Sequence, residues 1–256
     1  MIPLVVSQNL YGALETADGR RWTRFYRHSV LSNGLAVNHG HLYIADWSDL
    51  LKFTDGEVER IPTRASNIHT LRFLDDKPLL ASTQDNRVYW GDEVVFDPKD
   101  FAVLQGKPIY LNAAIPFHDH QILLSLRARR ELAVYDLDQR KPLRILSVPF
   151  LRNQHHPTPY VDGYFLVSDD SSVVVVDFEK GPVLRSPPMK WPRGIWVESE
   201  ARVWVADRHG LTGWNPRTNR IFARLDSPIA NPMETKVNGE TVVGGALFDV
   251  VGVPNG

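Results

Sequence analysis

Six side chains of this 256-residue chain have the types and spacing to do chemistry at one point: Asn33, His69, Asn112, His156, Arg193 and Glu234. They recur at intervals of roughly forty residues, each at or just ahead of an apolar run, as one position does when a structural unit repeats. Two imidazoles, two amides and a carboxylate suit a divalent cation. His69, His156, Asn33, Asn112 and Glu234 are therefore the expected metal ligands, with positions left open for substrate. A cation held there polarises a carbonyl or lowers the pKa of its bound water, which serves hydrolysis or elimination. Glu234 is the expected base, and in a metal-free variant it does the acid–base work alone. Arg193 repels a cation, and its planar guanidinium suits an anionic substrate group instead.

Residues so far apart in the chain meet only if repeated elements bring them together. The stretch from Leu31 to Asp46 reads as a short apolar strand, a polar turn and a second apolar strand ending in Asp. Its outline returns from Arg193 to Asp207. Between them, units begin near Asn67, Leu111 and His155, each with four strand-like runs, the signature of β-propeller blades. Pro62, Pro98, Pro149, Pro187 and Pro228 follow the fourth runs, where a residue that cannot donate to a ladder suits the exit from an outer strand. Residues 3–27 supply three more runs, and Glu234-Thr-Lys-Val a candidate first strand; Thr241 to Phe248 competes for the second-strand place. The expected fold is an all-β, six-bladed propeller of four-stranded antiparallel blades, one domain over 1–256. Its closing blade is shared by the two termini, which hides two sheet edges. An irregular β-sandwich is the alternative that strand spacing alone permits.

In a propeller the first strand of each blade lines the central channel, so the six polar residues face a common axis. Each also has a plainer reading. Asn33 before Gly34 suits a turn cap; Asn67 competes with His69 for the axial place; the histidines suit hydrogen-bonded channel positions; Glu234 suits an ion pair with Arg193. His39-Gly-His41 and His118-Asp-His120 have metal-like spacing but fall in hairpin turns on the opposite face, where solvated turn residues are expected. Strand alternation turns His155 away from His156. On the rim, Arg127, Arg129 and Arg130 suit either recruitment of a carboxylate or phosphate, making Arg127 and Arg129 candidate substrate contacts, or a solvated turn.

Ser32-Asn-Gly-Leu-Ala-Val through Leu42-Tyr-Ile-Ala-Asp46 resembles the blade motif of the gluconolactonase, regucalcin and strictosidine-synthase-like propellers, and Arg193-Gly-Ile-Trp-Val through Val203-Trp-Val-Ala-Asp207 resembles the related NHL repeat. The resemblance covers about two blades closely. It implies that Asn33, the asparagine of the Asn-Gly-Leu motif, ligates a divalent cation on the axis. Arg193 stands where those enzymes carry an aspartate.

Composition narrows the rest. Lysine and arginine total 29 against 30 acidic residues, which gives no general attraction to nucleic acid or anionic membrane. There is no cysteine, so disulfides, thiolate metal sites and cysteine nucleophiles are excluded. Met1 is followed by Ile-Pro-Leu-Val-Val without a basic segment or long apolar stretch, and a cytoplasmic location is expected. Phosphate-cradling glycine loops, nucleophile elbows and zinc-protease helices are absent from the sequence. The expected function is a divalent-metal-dependent hydrolase of a lactone or ester, or a lyase, acting on a polar small molecule. The alternative is a non-catalytic propeller gripping a protein or carbohydrate through its loops.

Overall fold

The structure is a computed structural model. It describes residues 2–7, 13–17, 21–26, 32–54, 57–101, 104, 106, 108–161, 163–226, 233–237, 240–244 and 247–253, with side chains described within 34–226 and at 250. Within 32–226 lie five four-stranded antiparallel sheets, each ordered as the chain runs. Their inner strands are Ser32–Asn38, Ile68–Leu74, Leu111–His118, His155–Pro159 and Ile195–Ser199. Each inner strand lies beside the next one, so the sheets fan out as propeller blades.

Middle strands are sandwiched between neighbouring sheets and are apolar on both faces, as in Val173–Asp177, where every residue is buried. Val174, Val176, Phe165 and Val167 of the fourth sheet pack on Ile115, Leu123 and Leu132 of the third. Trp214, Val203 and Val205 of the fifth pack on Leu166, Val173 and Val175 of the fourth. At roughly 1.5–3 kcal/mol per fully buried aliphatic side chain, these interblade seams stabilise the ring. The outer strand of the fifth sheet alternates instead: Arg220–Asp226 exposes every second residue. That is the pattern of a sheet edge with one wet face.

A further four-stranded sheet joins the ends of the chain, in the order Leu247–Val253, Ile2–Ser7, Ala13–Ala17, Arg21–Tyr26. Leu247–Val253 lies beside the inner strands of both the first and the fifth sheets. This corrects the expected division of the closing sheet. Among the described residues Met233–Val237, which contains the expected first strand Glu234-Thr-Lys-Val, pairs only with Glu240–Gly244 in a separate two-stranded hairpin. Leu247–Val253 is the longer run, and its register with Ile2–Ser7 fills the ladder that the hairpin leaves.

A bulge marks the start of each inner strand. In the second sheet Ile68 faces Ser82 and Thr70 faces Ala81, so His69 is the extra residue. In the third, Asn112 is extra between Leu111 and Ala113. In the fourth, His156 and Pro157 lie between His155, opposite Ser168, and Thr158, opposite Leu166. In the first, Asn33 and Gly34 lie between Ser32, opposite Asp46, and Leu35, opposite Ile44. Arg193 and Gly194 both bond to Ala206 across the fifth sheet. The shift in the closing sheet leaves Phe248 as its extra residue. A bulge bends its strand and re-aims the residue it displaces, so His69, Asn112, His156 and Arg193 form one set around the axis. Gly34 also lets the first inner strand approach the second, because a Cβ there would sit 2.8 Å from the Leu71 nitrogen.

Candidate functional site

The bulges lie at one end of the channel, where the inner strands begin and the second strands end. There the structure brings together His69, Asn112, His156 and Arg193, all buried, with Gln154 and His155 equally buried beside them. Left-handed backbone accompanies the set: Asn67 (φ 52°), Tyr110 (φ 50°) and Trp191 (φ 56°) stand just ahead of inner strands, and His156 itself has φ 33°. Such conformations are costly for bulky residues and collect where a side chain must be aimed.

The hydrogen bonds assign tautomers. His156 Nε2 lies 3.4 Å from the His69 carbonyl; a carbonyl only accepts, so Nε2 carries the proton and Nδ1 is the lone-pair nitrogen. Asn112 Nδ2 donates to the Gln154 carbonyl at 3.0 Å and to His155 Nδ1 at 3.1 Å. His155 Nε2 therefore holds the proton and donates to Asn153 Oδ1 at 3.2 Å. The His155 ring stacks on His69 with centroids 5.8 Å apart. Ser168 Oγ shares its proton between the carbonyls of His155 and Arg193, at 2.9 and 2.8 Å, tying the fourth and fifth inner strands together.

Arg193 is 1% exposed. Its Cζ lies 3.8 Å from the centroid of the Trp191 ring, and Nη1 donates to the Pro192 carbonyl at 3.0 Å. Among the described residues no carboxylate lies within ion-pair distance of it, and its Nε, Asn112 Oδ1 and Gln154 Oε1 meet no hydrogen-bond partner. A buried polar atom left so costs about 1–3 kcal/mol, which a bound polar solute would relieve.

The charges act together. Burial, then His156, Arg193 and Arg127, lower the His69 pKa to about 3. Burial, then Arg193, His69, His156 and Arg127, hold His155 well below its ordinary value. Arg193 is itself depressed by burial and by Arg127, with Asp170 and Asp169 opposing. Those aspartates are engaged: Asp169 accepts the Arg152 and Asn153 amides at 2.9 and 2.8 Å, and Asp170 accepts Asn153 Nδ2 at 2.8 Å. At neutral pH the site thus presents the neutral rings of His69 and His155 and the amides beside two guanidiniums.

Among the described residues no three His, Cys, Asp or Glu side chains gather so as to hold a metal ion. The described donors carry no negative charge, and two guanidiniums bias the same imidazoles, so this set fits an anion rather than a dication. The side chains of Asn33 and Glu234 lie outside the described residues. Glu234 stands in the separate hairpin, opposite Val243.

Two expectations change. His155 faces the site although simple alternation turns it away; the bulge at His156-Pro157 breaks the alternation, and a proline directly after His156 is the signal for it. Gln154, Ser168 and Trp191 carried no motif and were missed. Of the rim arginines, Arg129 is forked onto Glu131 at 2.6 and 3.1 Å, whereas Arg127 lies over the Tyr110 ring, 5.0 Å from its centroid. His39 and His120 occupy opposite-face turns, where His39 bridges to Asp76 of the next sheet at 2.7 Å and His120 to Asp75 of the second sheet at 3.2 Å, with Asp138 of its own sheet at 2.8 Å.

No family model matches the sequence, and no curated protein resembles it significantly. Solved structures do match. A nidogen/laminin complex aligns with TM-score 0.68 at 12% identity over 97% of each chain. A protein of unknown function from Bacteroides caccae aligns at 0.67 and 13% over 97% of each. Virginiamycin B lyase from Staphylococcus aureus aligns at 0.57 and 12% over 79% of this chain and 72% of its own. At such identities the likeness is one of fold, and that fold is the β-propeller.

Proposed function

We propose that the chain closes as a six-bladed ring and that its axial mouth binds a small hydroxylated carboxylate, on which it acts as a lyase. The cyclic neighbouring of six inner strands supports the ring. The observation that carries the functional reading is Arg193: a buried guanidinium, backed by Trp191, with no carboxylate partner among the described residues. A substrate carboxylate supplies the missing charge, and substrate hydroxyls donate to Asn112 Oδ1 and Gln154 Oε1. His156 Nδ1, the lone-pair nitrogen, takes the proton α to the carboxylate as the β carbon–oxygen bond breaks. The imidazolium returns that proton to the departing oxygen, leaving a carbon–carbon double bond. Arg193 and Arg127 stabilise the negative charge that develops on the carboxylate.

A non-catalytic ligand-binding role is the second reading. It draws on His155, whose two ring nitrogens are both occupied by structural hydrogen bonds. Calorimetric titration with gluconate, galactonate and glucuronate, with glucose as neutral control, tests the shared part. The acids bind, glucose does not, and Arg193→Gln abolishes binding. His156→Gln separates the readings, since it leaves binding intact while removing the ultraviolet absorbance of an unsaturated product. Equal binding of glucose, or acid binding that survives Arg193→Gln, would overturn the proposal.

A further inference from the structure

A cavity opens on the same face, away from the axis, against the fifth sheet and the segment 188–190 that leads into it. It is a cleft of about 340 Å³, within the size range of small-molecule sites. Met189 and Leu211, both buried, form its floor with Thr212, and Leu225 forms part of a wall. Exposed Lys190 and Arg224 stand at its rim.

Exposed Asp226 shares the rim with the two cations. Among the described residues neither Lys190 nor Arg224 has a carboxylate within ion-pair distance. Asp207 turns inward: Oδ1 accepts the amides of His209 at 2.7 Å and Gly210 at 3.0 Å, and Oδ2 accepts the Thr212 hydroxyl at 3.1 Å. Asp226 is engaged in an interaction of its own. An apolar floor beneath two cations that no described carboxylate pairs with matches one ligand chemistry, an apolar body ending in an anion.

We infer that this cleft is a second binding site, for a small monocarboxylate with an aliphatic body, separate from the hydroxy-acid site on the axis. The tail lies on Met189 and Leu211, and the carboxylate reaches Lys190 and Arg224. The floor offers few polar partners, so a polyhydroxylated acid loses its hydrogen bonds there. The two sites thus sort acids by the polarity of their bodies.

Calorimetric titration with octanoate tests the inference, using acetate and octylamine as controls and circular dichroism to confirm folding of each variant. Octanoate binds at least tenfold more tightly than acetate or octylamine. Lys190→Gln/Arg224→Gln weakens it at least tenfold, while Arg193→Gln leaves it unchanged. Loss of octanoate binding in Arg193→Gln but not in the double variant would move the ligand to the axis and overturn the second site. Absence of octanoate binding to the wild-type protein, or binding equal to that of octylamine, would overturn it as well. None of these results depends on whether the axial site binds hydroxy acids.

Discussion

At the axial mouth His69 and His155 are buried, stacked on each other and held neutral, whereas on the opposite face His39 and His120 project from hairpin turns and pair with aspartates. Burial and the nearby guanidiniums push the first pair down. The carboxylates of Asp138 and Asp75 push His120 up. One residue type therefore serves as a neutral hydrogen-bonding ring at one end of the channel and as a partner for turn aspartates at the other. Environment, not spacing, decides the role: the His-x-His pairs look more like ligands in the sequence, yet they hold turns together.

The sharpest way to break this contrast is at Arg193. Replacing it with Gln removes the charge that biases the buried imidazoles and should weaken hydroxy-acid binding by about 2–5 kcal/mol, read by calorimetry. Lys77→Gln on the opposite face, which removes a cation over Trp90, should leave binding unchanged.

Acid comes next. A histidine whose folded pKa lies below its unfolded value contributes stability above about pH 6.5, and that contribution drains away as pH falls towards the folded value. His69, lowered to about 3, should cost on the order of 2 kcal/mol between pH 6.5 and 4.5, and His155 adds to the loss. Depressed carboxylates such as Asp97 and Glu198 titrate below that window. Scanning calorimetry should show melting temperature falling there in the wild type, and less steeply in His69→Asn.

Glycine sharpens the comparison by geometry. Gly34→Ala at the mouth meets the Leu71 backbone at 2.8 Å and should cost about 1–3 kcal/mol in urea unfolding. Gly40→Ala in an opposite-face turn meets nothing within 4 Å, and only its φ of 77° resists; its cost should be about 1 kcal/mol. The smallest effect is at His120. Its nuclear magnetic resonance titration midpoint should lie above the ordinary histidine value and fall in Asp138→Asn. Its contribution to stability, present at low pH, should vanish as pH rises through that midpoint.

Much of the fold was legible because alternation is local. Twenty strands of five sheets fall where apolar runs and turns predicted them, and His69, Asn112, His156 and Arg193 were picked from the repeat alone. The closing sheet was not legible. Both Met233–Val237 and Leu247–Val253 have strand patterns, and pairing with Ile2–Ser7, more than two hundred residues away, chooses between them.

Residue pattern by itself determined five of the sheets, their order and the repeated polar position at the head of each. Only the tertiary structure decided that His155 shares the site and that Arg129 is consumed by Glu131 while Arg127 lies over the Tyr110 ring. Side-chain direction at a bulge and the charge around a buried group are set by contacts between sheets, and no period along the chain encodes them.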